Sequence, residues 1–135
     1  MKSKLPELRV LSTARLSARA HEASEHELQS MLLLEAPRAL AGLRLFRRSV
    51  GAVKIDPRFI RFAVPGQCDL YGFWRGGRSI ELEVKAAGGA LSPNQRAWRD
   101  FCLEWGIPWI ELRPYPPEDV RQTLDRWLRL ISKTS

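Results

Sequence analysis

Two carboxylates and an amine, Asp69, Glu83 and Lys85, are the side chains of this sequence whose types and spacing best suit chemistry. Between Arg78 and Lys85 the apolar residues Ile80, Leu82 and Val84 alternate strictly with the charged residues Glu81, Glu83 and Lys85, so an extended strand puts the two sets on opposite faces. A solvated row of charges is the ordinary outcome of such a pattern. The preceding strand changes the reading, because Asp69 lies there on the same pleat face as Tyr71 and Phe73. A carboxylate beside aromatics needs a partner, since left buried and unpaired it costs several kcal/mol or becomes neutral. A divalent cation is one such partner. Asp69 and Glu83 would offer the hard oxygens that Mg²⁺ takes at about 2.0 to 2.1 Å, leaving positions for water and phosphate oxygens. Lys85 projects in the same direction as Glu83, roughly 7 Å along the strand. There it is suited to orienting a water and stabilising charge on a phosphate.

The elements that position these groups are marked by local signals. Ser24-Glu25-His26-Glu27 matches a capping box and opens a helix, with Leu28, Met31, Leu32 and Glu35 following at helical spacing. Pro37 must break, kink or restart that helix. From Leu43 to Ile80 the period shortens and Gly51, Asp56-Pro57, Pro65-Gly66 and Gly76-Gly77 punctuate it, predicting a meander. Strands are expected near 43–48, 52–54 with 59–63 as a hairpin, 68–74 and 78–85. Gly76-Gly77 is a favourable two-residue turn that makes the last two strands antiparallel neighbours. Ser92-Pro93-Asn94-Gln95 opens a second helix, Ile107 to Leu112 reads as a strand, and Val120, Leu124, Trp127, Leu128 and Ile131 form the apolar face of a last helix.

Composition bounds the partners. The 135 residues suit one domain, predicted over 23–135, preceded by a flexible basic arm over 1–22 that carries Lys2, Lys4, Arg9, Arg15 and Arg19. A net charge of +7, supplied more by arginine than by lysine, suggests a polyanionic partner, nucleic acid first. No apolar run approaches the roughly 18 to 20 residues of a membrane span. Cys68 and Cys102 lack metal-binding spacing and read as buried, reduced thiols of a cytoplasmic protein. The tryptophans at 74, 98, 105, 109 and 127 fall mainly at core spacing rather than as base-stacking platforms.

In chain order, Ser24-Glu25-His26-Glu27-Leu28-Gln29, Phe46-Arg47-Arg48-Ser49-Val50-Gly51-Ala52, Gly66-Gln67-Cys68-Asp69-Leu70, Glu83-Val84-Lys85 and Gly88-Gly89-Ala90-Leu91-Ser92-Pro93-Asn94-Gln95 resemble the VRR-NUC branch of the PD-(D/E)XK nucleases, in its short stand-alone bacterial and phage form. The resemblance implies an α/β fold, a restriction-endonuclease-like core with a mixed central sheet flanked by helices. It implies a Mg²⁺- or Mn²⁺-dependent DNA endonuclease, structure-selective for branched, flapped or junction DNA, in the cytoplasm of a bacterium or phage-infected cell. A homodimer whose two sites address two strands belongs to the same picture. Asp69 and Glu83 are then metal ligands, Lys85 is catalytic, and Gln95 positions the attacking water, although its other reading is a helix cap. An acidic residue of the first helix completes the set, Glu25 being preferred to Glu27 because the capping box already employs Glu27. Arg48, Lys54 and Arg96 are the candidates for DNA backbone contacts, whereas Glu81 reads as solvent-facing or phosphate-adjacent. The rival reading is a non-catalytic nucleic-acid-binding module on the same fold.

Overall fold

The computed structural model describes residues 13–49, 52–61 and 63–135. Four helices and six strands follow the order α1 (Thr13–Ser17), α2 (Glu25–Ala39), β1 (Leu43–Arg47), β2 (Ala52–Ile55), β3 (Arg58–Arg61), β4 (Leu70–Trp74), β5 (Ser79–Val84), α3 (Pro93–Glu104), β6 (Trp109–Leu112) and α4 (Val120–Ser132). The main sheet has the order β1-β4-β5-β6, antiparallel except for the parallel pair β5 and β6. The mixed α/β sheet flanked by helices is therefore present.

Alternation decides the layers. Leu43 and Leu45 of β1, Leu70 of β4, Ile80, Leu82 and Val84 of β5 and Leu112 of β6 point into one core with Leu28 and Leu32 of α2 and Leu124, Trp127 and Ile131 of α4. The other face receives α3, whose Trp98 indole donates to Glu81 at 2.9 Å. Both predicted capping boxes form, Ser24 with Glu27 and Ser92 with Gln95, and a third, Asp119 with Gln122, opens α4. Gly76 and Gly77 both take positive φ, at 100° and 94°, in the turn between β4 and β5, which has three residues, 75–77, rather than the two expected, because the register sets Trp74 opposite Arg78.

Three further expectations are corrected. The strands are not a simple meander: β1 pairs with β4, and β2 and β3 form a separate two-stranded sheet inserted between them. Pairing distant β1 with β4 completes the apolar face that covers α2, which the short hairpin, with every described side chain from Val53 to Phe59 exposed, has no means of doing. Second, α2 continues through Pro37 to Ala39, because the missing donor falls in the last turn and Leu40 N–H still closes on the Ala36 carbonyl at 2.8 Å. Third, residues 13–22, expected within a flexible arm over 1–22, are folded. Residues 1–12 lie outside the described residues, but 13–22 fold onto the body. Leu16 packs on the core, Ala20 is fully buried, and the backbone groups of Ala18 and Ala20 bond to Val120 and Glu118.

Candidate functional site

Asp69 sits one residue before β4, and the register that pairs Leu70 with Leu82 sets it opposite Glu83 on β5. Glu25, at the first position of α2, reaches the same place: its Oε2 accepts from the Ala86 amide, just past β5, at 3.1 Å. The Ala86 carbonyl is held from the other side by Arg113 Nη1 at 3.0 Å. Lys85 is anchored by its amide to the Leu112 carbonyl at 2.9 Å, so the strand end bearing Glu83 and Lys85 is tied to β6, α2 and the strand exit together.

Glu83 is the electrostatic centre of this cluster. It is 2% exposed, and its Oε1 is buried without a hydrogen-bond partner. Burial pushes its carboxyl up to about 7, with the Lys85 ammonium opposing and the neighbouring Asp69 and Glu25 carboxylates adding to the rise. The neighbouring Cys68 thiol favours its charged form, and burial drives that thiol well above its usual range. Both cysteines are free and buried, as their apolar settings implied.

These residues fit a hard cation. A buried carboxyl with an orphaned oxygen, raised by burial and by the Asp69 and Glu25 charges beside it, is a group that a divalent ion would relieve by neutralising charge and taking up the free lone pairs. Among the described residues no group of three or more His, Cys, Asp and Glu side chains is placed as a cage that could hold a metal ion. Mg²⁺ does not demand one, because it binds through one or two carboxylates and keeps several waters.

The folded chain holds the Glu83 proton more tightly than the unfolded chain does. Without metal, stability should therefore fall as pH rises from about 4.5 to about 7, with the full penalty present above that window. Glu83→Gln should stabilise the protein in EDTA by about 2–3 kcal/mol at pH 8 and by little at pH 4. Urea melts of both proteins at the two pH values measure this. An equal difference at both would show that charge burial is not what distinguishes them.

Gln29 was not anticipated. Its Nε2 donates to Asp69 Oδ2 at 3.0 Å from a position only 4% exposed. The signal was present, since Glu25 and Gln29 are spaced i, i+4 and so share a helix face. Gln95, by contrast, is occupied as a helix cap, its Oε1 accepting from the Ser92 amide at 2.9 Å. Of the two acidic candidates on α2, Glu25 approaches the other carboxylates, while Glu27 caps the helix and pairs with Arg15 at 2.5 Å.

The largest departures concern Arg48 and Glu81. Glu81 is not solvent-facing but 6% exposed, gripped by both terminal nitrogens of Arg48 at 2.8 Å and by the Trp98 indole. Arg48 also donates to the Cys68 carbonyl at 2.8 Å and lies over the Tyr71 ring, 4.5 Å from its centroid. Its guanidinium is thereby a strut inside the fold rather than an exposed phosphate contact. Arg96 is exposed on α3, donating to the Leu91 carbonyl, and Lys54 is exposed on β2. Trp105 departs from core spacing, being 70% exposed at the end of α3.

Gly66 locks the loop before Asp69 against α3. It takes φ of 91°, and a Cβ there would stand 2.1 Å from the Asn94 carbonyl oxygen, so only glycine fits. The chain matches no family model, no curated protein and no solved structure. No helix among the described residues is long and apolar enough to cross a membrane.

Proposed function

We propose that this chain is a Mg²⁺- or Mn²⁺-dependent DNA endonuclease with a PD-(D/E)XK-type core of the VRR-NUC kind. The observation that carries the reading is the convergence of Glu25, Asp69 and Glu83 beside Lys85, with one buried Glu83 oxygen unpartnered. The order of one helix, antiparallel strands, a second helix and a parallel strand supports the same reading.

Glu25, Asp69 and Glu83 would hold the cation. Bound there, it supplies Lewis-acid polarisation of the phosphoryl group and a more acidic water. The chain's own residues supply position and charge. Gln29 fixes the orientation of Asp69, the Ala86 amide fixes Glu25, and the short tether of Lys85 to β6 holds its ammonium where negative charge grows during in-line attack. Branched, flapped or junction DNA is the substrate class within this reading, and a bacterial or phage-infected cytoplasm its setting. The exposed rings of Phe46 and Phe73 on the open sheet face, with Phe101 and Trp105 on α3, offer aromatic surface for a homodimer.

Purified protein incubated with linear, flapped and four-way DNA, with and without Mg²⁺ or Mn²⁺, tests the proposal. Metal-dependent products are expected, most abundant from the branched substrates. Tight DNA binding with no products under either metal would favour the non-catalytic module instead.

A further inference from the structure

Among the described residues the inserted hairpin has no packing partner of its own. β2 and β3 pair only with each other, and no other strand or helix packs against them by more than a marginal contact. An isolated two-stranded hairpin is at best marginally stable in water, so a surface that covers it would add to its stability. All described side chains from Val53 to Phe59 are exposed, with Phe59 at 71%.

The composition of this surface selects among occupants. Lys54 stands across from Phe59, its Nζ 6.0 Å from the ring centroid, and Arg58 stands across from Ile55. Each apolar residue of the tip thus has a cation as its cross-strand neighbour, and Asp56 is the one acid between Ala52 and Arg61. A second copy of the chain would bring these same cations against itself. A phosphate backbone would neutralise them.

The roots of the hairpin lie at the candidate site. On the way out, the Arg48 amide donates to the Asp69 carbonyl at 2.6 Å. On the way back, the chain passes the turn closed by Gln67 N–H on the Val64 carbonyl and reaches Asp69 two residues later.

We infer that the β2–β3 hairpin is a DNA-binding arm that lies in a groove of the duplex beside the scissile phosphate, with Lys54 and Arg58 on phosphates and Phe59 against base edges. The inference rests on the nuclease reading and adds to it the element that engages the duplex. A two-stranded ribbon has the width that the major groove accepts, about 12 Å.

The test measures affinity of the full chain for a fluorescein-labelled 24-base-pair duplex in EDTA, across a salt series from roughly 50 to 200 mM. Lys54→Ala/Arg58→Ala should weaken binding on the order of tenfold or more and lower the steepness of log Kd against log salt by about 1.8, near 0.9 for each lost phosphate contact. Lys54→Arg/Arg58→Lys should keep the wild-type slope. Phe59→Ala should weaken binding with the slope unchanged. Unchanged affinity and slope in the double alanine variant, with a wild type that binds and cuts, would overturn the arm while sparing the nuclease reading. A change in sedimentation with an unchanged slope would assign the hairpin to contact between copies and equally overturn it. A wild type that fails to bind the duplex at all would remove both proposals.

Discussion

Lys85→Ala is expected to lower metal-dependent DNA cleavage by about 10²–10³-fold while duplex affinity in EDTA stays within about threefold. The size follows from losing a single preorganised charge beside the reacting phosphate, where such groups act most strongly. Lys85 is 9% exposed, and its charge opposes the rise of Glu83. Its removal therefore has a second effect: Glu83 becomes still harder to ionise, and a protonated carboxyl is a poor metal ligand. The two contributions separate by pH and metal concentration. Cleavage measured at pH 7 and pH 9 over a wide Mg²⁺ range should show part of the loss recovered by high pH and saturating metal, and the larger part persisting. Undiminished cutting by the variant would refute the assignment of Lys85, and full recovery at high pH would reduce its role to keeping Glu83 charged.

Arg48→Ala is expected to destabilise the protein by about 3–5 kcal/mol, because it leaves the buried Glu81 carboxylate without its bidentate partner. Both side chains are sheltered, at 16% and 7% exposure, so solvent screening discounts the effect little. Arg48→Met/Glu81→Leu should recover most of that loss, since removing both charges also removes the desolvation they cost. Urea melts of the single and double variants distinguish the cases. A loss under about 1 kcal/mol for Arg48→Ala would mean that the pair behaves as a surface ion pair. The pair matters beyond stability. Through Trp98 and the Cys68 carbonyl it joins α3, β5 and the loop before Asp69, which are the elements that frame the candidate site.

What local chemistry dictates was legible along the chain. The Ser24 and Ser92 capping boxes and the alternation from Ile80 to Val84 each depend on residues within a few positions, and each appears as read. The antiparallel pairing of β4 and β5 was legible too, but not the opposition of Asp69 and Glu83: a two-residue turn at Gly76-Gly77 would set Asp69 against Val84, and the three-residue turn that forms shifts the register by one and brings it to Glu83. Glu25 was narrower: the capping box excluded Glu27, and the approach of Glu25 to Ala86 came from the packing of α2.

Only the tertiary structure decided the remainder. Gln29 meets Asp69 across 40 residues of chain and Arg48 meets Glu81 across 33, and no period of 2 or 3.6 encodes such meetings. A charged residue on an alternating strand looks the same in sequence whether water or an arginine will face it. The difference lies in which layer covers that face, and α3 covers it here through Trp98. Strand order was hidden likewise, because β1 chose β4 over its sequence neighbour to complete the apolar face against α2. Local propensity and spacing thus determined the elements, whereas register and burial, which depend on contacts between distant segments, decided which charges became ligand candidates and which became struts.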